Sequence, residues 1–229
     1  MSSFPEPTPT QEITVRKAAR AIGRARLAHA YGHCSQRLDA DYFLVCAPEP
    51  MALVTPEMDG VVVPVSGPLP EGVLGEVRIH QQIYQRRPDV SGITRTMPPN
   101  SMALAALGKS PRIRHGFGSY FHAGFPFWDD PQLLRSDEQA EQLAEMFGDA
   151  SALLMRGNGL VTASDSLEKA VVLAWYAEDA ARIELEALKC GLADSAPTLS
   201  QDEARQRATD KGRIFERMWD YLTHGDPET

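Results

Sequence analysis

Residues able to do chemistry crowd one stretch of this 229-residue chain. Between Glu76 and Arg114 stand seven cations (Arg78, Arg86, Arg87, Arg95, Lys109, Arg112, Arg114) against two acids, Glu76 and Asp89, although the chain as a whole carries a net charge of −8. Such a local concentration suits an anion site. Most of these cations read as solvated surface residues, but Arg95 stands alone between Ser91 and Lys109 in the middle of a strand-like run. A guanidinium there must leave the sheet at an edge or point inward to an anionic partner. His80 follows Glu76 by one helical turn, a spacing that serves proton transfer and helix packing equally well. His115 and His122 stand among Phe117, Tyr120, Phe121, Phe125 and Trp128, a density that builds a core or walls a pocket for a flat ring. No nucleophile elbow, P-loop or dinucleotide fingerprint is present.

The elements that must carry these groups follow from spacing and punctuation. Residues 1–10, with three prolines, read as a flexible arm ending at a Thr10 cap, and residues 11–30 as an amphipathic helix with its Arg and Lys side chains on the polar face. Residues 32–38 form a polar loop or short strand; Tyr42–Cys46 and Val61–Val63 are strands. A helix over 73–86 stops before Pro88, and a strand over 92–96 before Pro98-Pro99. Asn100 or Ser101 caps a helix to 107; further helices span 137–146, 167–189 behind a Ser166 cap, and 200–223. Strands joined by turns too short for crossover helices predict a mixed, largely antiparallel sheet with helices on both faces, a three-layer α/β/α fold. Residues 11–229 read as one domain.

Composition narrows the function. Hydrophobic residues at 43% and charged residues at 24% are those of a soluble globular chain. Net charge −8 argues against nucleic acid, and the lack of a long apolar run argues against a membrane. With no targeting segment, and with Cys34, Cys46 and Cys190 at wide, motif-free spacing, the expected compartment is the cytoplasm and the expected state reduced thiols.

The run Gly75-Glu76-Val77-Arg78-Ile79-His80 through Tyr84, Arg87-Pro88-Asp89-Val90 and Pro98-Pro99-Asn100-Ser101 resembles the class II aldolase/adducin family. Gly32-His33-Cys34-Ser35-Gln36-Arg37 is similar to its Gly-x-x-Ser-x-Arg loop, and Leu154-Met155-Arg156-Gly157-Asn158-Gly159 to its later glycine turn. The resemblance covers about residues 11–190. It implies a divalent metal held by His-x-His and a third His, but those positions here read Arg95-Thr96-Met97 and Asn158. A guanidinium cannot coordinate zinc, and a thioether or carboxamide is a poor substitute, so no metal and no other cofactor is expected.

What the resemblance implies of the remaining residues is a site. Glu76 stands where the acid/base carboxylate belongs, and Arg95 replaces a metal ligand with a fixed cation for a carboxylate or oxyanion. With His80 these form the catalytic candidates. His33, Ser35, Arg37 and Asn158, with His115 and His122, are the candidates for binding a small-molecule carboxylate. The resulting expectation is a metal-independent lyase that cleaves a C–C bond by retro-aldol reaction or decarboxylation. The alternative is a non-catalytic binding or assembly protein like the adducin branch, and a third reading has the histidines rebuild a displaced metal site. The resemblance also implies sites between adjacent subunits. With the apolar residues Ile214, Phe215, Met218, Trp219 and Leu222 of the last helix, it predicts a homo-oligomer, most simply a tetramer.

Overall fold

The computed structural model describes residues 4–228. Seven strands form one sheet: β1 (His33–Arg37), β2 (Tyr42–Val45), β3 (Val61–Pro64), β4 (Gly92–Thr96), β5 (Phe127–Trp128), β6 (Ala152–Met155) and β7 (Gly159–Ser164). Their order is β3-β2-β1-β4-β7-β6-β5, and every neighbouring pair is antiparallel except β5 with β6. Helices α1 (Pro9–Arg24), α5 (Leu167–Lys189) and α7 (Ile214–Thr223) share one core with one sheet face. On the other face, α2 (Arg78–Arg86) and α4 (Asp137–Phe147) pack through Ile79, Ile83, Leu143 and Phe147. The expected three-layer α/β/α architecture with a mixed, largely antiparallel sheet is the one observed.

Several boundaries differ from those expected, each for a local reason. Of the arm expected over residues 1–10, residues 1–3 lie outside the described residues, Phe4 packs on Tyr42, and α1 already begins at Pro9. The cap is Thr8, whose side chain and that of Gln11 satisfy each other's backbone N–H groups. Arg16 and Arg20 of α1 are buried rather than solvated, because Asp226 and Glu228 from the chain's other end pair with them at 2.6–2.7 Å. Helix α2 starts only at Arg78, after a 3-10 turn over Gly75–Val77. Helix α3 (Pro99–Ala106) has no cap of its own; Glu178 of α5 accepts from the backbone N–H of Asn100 and Ser101, both at 2.8 Å, placing a carboxylate on the positive helix end. The helix expected over 200–223 is two, α6 (Gln201–Arg207) and α7, broken where Gly212 and Arg213 turn left-handed at φ +76° and +57°.

Two surface expectations also change. The six arginines between Arg78 and Arg114 all carry an acidic partner, several from distant sequence: Asp137 for Arg78, Glu141 for Arg86, and Glu184 for both Arg112 and Arg114. The local excess of positive charge is therefore spread over separate ion pairs rather than gathered into one surface patch. The apolar side of α7 packs on the chain's own core, with Phe215 and Leu222 buried and Met218 and Trp219 against it. It leaves little of that face for a second subunit.

Candidate active site

Strand β1, read as a loop or short strand, is an inner strand of the sheet. Period-2 alternation turns Cys34 toward α1 and α5, and His33 and Ser35 toward α2. Register pairs His33 with Arg95 of β4, so their side chains are neighbours on that face. Above them lie α2 and the 3-10 turn that carries Glu76. Asn158 comes from the β6–β7 turn, and its position depends on Gly159: at φ +108°, a Cβ there would stand 2.1 Å from the Thr96 carbonyl oxygen. Only glycine lets the turn close down on the end of β4.

These elements bring Arg95, Glu76 and Asn158 into a closed triangle. Arg95 Nη2 donates to Asn158 Oδ1 at 2.7 Å and lies 2.9 Å from Glu76 Oε2, while Asn158 Nδ2 donates to Glu76 Oε1 at 3.1 Å. The Arg95 side chain is 3% exposed and that of Glu76 18%, so solvent reaches the pair from the carboxylate end. Burial lowers the guanidinium's pKa, and Glu76 opposes the shift. One donor, Arg95 Nε, is buried with no partner.

Beside the triangle runs a chain of neutral hydrogen bonds. His33 Nδ1 meets His80 Nε2 at 2.9 Å; His80 Nδ1 meets Ser35 Oγ at 2.6 Å; Ser35 Oγ meets the Tyr84 hydroxyl at 3.0 Å. Burial, with Arg95 adding to it, pushes His80 down to about 3, and His33 well below its ordinary value for the same reasons together with His80 itself. His33 Nε2 is buried with no partner. The His33 side of the sheet lines a narrow cleft of about 10 Å³, the room of one water, with Val45, Val61, Val73, Leu74 and Val77 around it.

The remaining candidates do other work. Arg37 donates to the carbonyls of Tyr84, Arg87 and Val90 at 2.8–3.0 Å and lies over the Tyr84 ring, tying the end of α2 to the sheet. Ser35 is engaged by His80 and Tyr84, and β1 is paired on both sides, so the anion cradle expected of this segment is not formed. His115 lies 3.6 Å from Asp179 of α5, and the His122 carbonyl accepts from Gln201 of α6. Both belong to the helical layer on the opposite sheet face. The aromatic segment between them packs onto the core: Phe121 is buried, Tyr120 meets Phe215 at 5.0 Å, and Phe117, still 41% exposed, stacks on Tyr176 at 4.6 Å. Sequence reasoning gave Tyr84 no role, although it stands one turn beyond His80 on the same helical face.

The donor set does not fit a divalent metal. Arg95 places a positive charge on the sheet beside its own two partners, where a second cation is repelled. Of the four ring nitrogens of His33 and His80, two are engaged with each other, one with Ser35, and His33 Nε2 alone is left, while His115 and His122 are elsewhere. Among the described residues no group of three or more His, Cys, Asp or Glu side chains is arranged to hold a metal ion.

Residues 14–185 match the family described as the class II aldolase and adducin N-terminal domain, and the chain belongs to that family. It is 30% identical over 192 residues to a 3,4-dihydroxyphthalate decarboxylase of Arthrobacter keyseri, covering 76% of this chain and 77% of that one. A 3,4-dihydroxyphthalate decarboxylase of Rhodococcus jostii (strain RHA1) is 24% identical over 201 residues, covering 78% and 81%. In fold the chain is similar to an L-fuculose 1-phosphate aldolase from Glaciozyma antarctica PI12, with a TM-score of 0.78 at 19% identity, covering 96% and 94%.

The neutral imidazoles set a pH dependence. Above about pH 6.5 a histidine is uncharged folded or unfolded and contributes nothing. Below it, the unfolded chain takes up protons that folded His80 refuses down to about pH 3, so stability falls as pH falls, by up to about 1.4 kcal/mol per pH unit and ring. Urea unfolding should therefore lose stability from pH 7.5 to 5, while the His80 ¹⁵N signals stay those of a neutral ring. An imidazolium signature for His80 at pH 5 contradicts the assignment.

Proposed function

We propose that this protein is a metal-independent lyase that removes the carboxyl group of a hydroxylated aromatic acid. The observation that carries the reading is the Arg95–Glu76–Asn158 triangle, a fixed cation paired with a carboxylate that solvent can reach. The decarboxylase relatives support this bond as the one broken. Decarboxylation adds a proton to the ring carbon that bears the carboxylate, and the C–C electron pair returns to the ring as CO₂ departs. Arg95, through its unpartnered Nε, receives the substrate anion; Glu76, the partner that solvent reaches, relays a proton from solvent to that ring carbon. No helix among the described residues is long and apolar enough to cross a membrane, and the three cysteines are free thiols, which supports a cytoplasmic setting.

A second reading rests on a specific observation: Arg95 Nη2 already has two partners, and the adjoining cleft has room for one water. In that reading the triangle is a structural ion pair and the chain is a non-catalytic member of the family. Binding separates the two. A calorimetric panel of aromatic carboxylates should yield a hit, with Arg95→Ala weakening it by about 10²-fold, the scale of a lost charge-assisted donor. Glu76→Gln should keep affinity within a few-fold and cut turnover by about 10²–10⁴-fold. Arg95→Lys, which preserves the charge, guards against a folding defect. If no carboxylate binds, or Arg95→Ala keeps every hit, the non-catalytic reading stands.

We also propose a homotetramer. The exposed apolar side chains include Tyr31 and Leu74, two residues before His33 and Glu76 in sequence, Leu53 and Leu107, and Tyr221 on the outer side of α7. Light scattering at micromolar concentration should return four times the chain mass of 25.2 kDa; a monomer contradicts the proposal.

A further inference from the structure

Two buried polar atoms beside the site have no partner, Arg95 Nε and His33 Nε2. They belong to residues directly opposite each other on adjacent strands, whose side chains stand on the same face. A buried donor or acceptor without a partner costs about 1–3 kcal/mol, so two together mark a place shaped for a ligand with two polar groups side by side. The guanidinium calls for an anion. The imidazole calls for something else: its ring is neutral, its other nitrogen is taken by His80, and the cleft around it is walled by valines and a leucine. A second carboxylate there would be desolvated with no charge to meet it. A hydroxyl fits, because it accepts from or donates to a neutral nitrogen.

We infer that His33 Nε2 reads a hydroxyl on the carbon next to the one bearing the substrate's carboxylate, and that His80, Ser35 and Tyr84 are positioning residues that hold the imidazole for that contact. The inference rests on the carboxylate reading of Arg95 and adds the substrate feature that selects among aromatic acids. The hydrogen-bonded chain fixes the ring plane of His33 from the core outward, ending where Tyr84 also donates to the Ser35 carbonyl at 3.1 Å. A site built this way rejects analogues lacking the hydroxyl, since its buried nitrogen would go unanswered. Admitting an aromatic ring requires the segment 66–74 to swing away from the cleft. That segment is mostly exposed; what ties it down is Gln81 Nε2 on the Gly67 carbonyl at 3.1 Å and the packing of Leu69 and Val73 on the core, and these contacts would have to yield.

Calorimetry on the full chain with three probes, benzoate, 4-hydroxybenzoate and 2-hydroxybenzoate, tests this at pH 7.5, where all three are carboxylates. Wild type should bind the 2-hydroxy acid at least ten-fold more tightly than the other two. His33→Phe should bring the three within two-fold of each other, and His33→Gln, which restores a polar atom, should recover part of the preference. Tyr84→Phe and Ser35→Ala should reduce the preference to a few-fold; purely structural roles would lower thermal stability and leave the ratio alone. Equal binding of all three probes by wild type, lost in Arg95→Ala, overturns the hydroxyl reading and leaves the carboxylate site intact. A preference that survives His33→Phe overturns it as well. Failure of all three probes to bind removes the carboxylate site itself, and this inference with it.

Discussion

A guanidinium sunk into a sheet is tolerated only where a negative partner and hydrogen-bond acceptors meet it, because removing either leaves a buried charge that costs several kcal/mol. Arg95 is that group, and the surrounding architecture answers it. The 3-10 turn before α2 holds Glu76 over the strand, and the left-handed glycines of the β6–β7 turn let Asn158 close on it. Asn158 also bonds Glu76, so the three residues fix one another. The ion pair links the middle of the sheet to the layer above it at the place where the family's resemblance puts its chemistry.

Around this fixed charge the chemistry divides by polarity. The cation and its carboxylate are reached from solvent on one side, whereas the His33–His80–Ser35–Tyr84 chain is buried and uncharged. The two effects are coupled: Arg95 is one reason the imidazoles stay neutral, and neutral imidazoles offer it no competing charge. In the proposed function, this pairing of a permanent cation with a neutral reader would recognise an anion and a hydroxyl at once, and would perform by hydrogen-bond donation part of what a Lewis acid performs by coordination.

Much of the fold was legible from local signals. The Ser166 cap of α5, the strands at Tyr42 and Gly92 and the glycine turn at Asn158 stand where spacing put them, and the motif around Glu76 gave the family. What sequence missed is non-local. Strand β1 is polar because His33 and Ser35 enter a buried hydrogen-bonded chain, and such a polar run reads as a loop. The pairing of Arg112 and Arg114 with Glu184, and of Arg16 and Arg20 with the chain's far end, joins residues about 70 to 210 positions apart. No pattern within one helix shows that such arginines are buried. The histidine chain was invisible for the same reason: His33 and Ser35 lie on a strand, His80 and Tyr84 on a helix, and only packing brings the two pairs together. The aromatic segment between His115 and His122 shows the converse, since its density was real and its use was core.

The central claim is that the Arg95 guanidinium, rather than a metal ion, receives the substrate's carboxylate. A crystal structure with 2-hydroxybenzoate bound, collected with anomalous data for first-row metals, tests it most directly. The account predicts a carboxylate oxygen about 2.7–2.9 Å from a guanidinium nitrogen of Arg95, with no anomalous peak between them. A metal ion bridging carboxylate and protein, or a ligand seated elsewhere with the Arg95–Glu76 pair undisturbed, would contradict it.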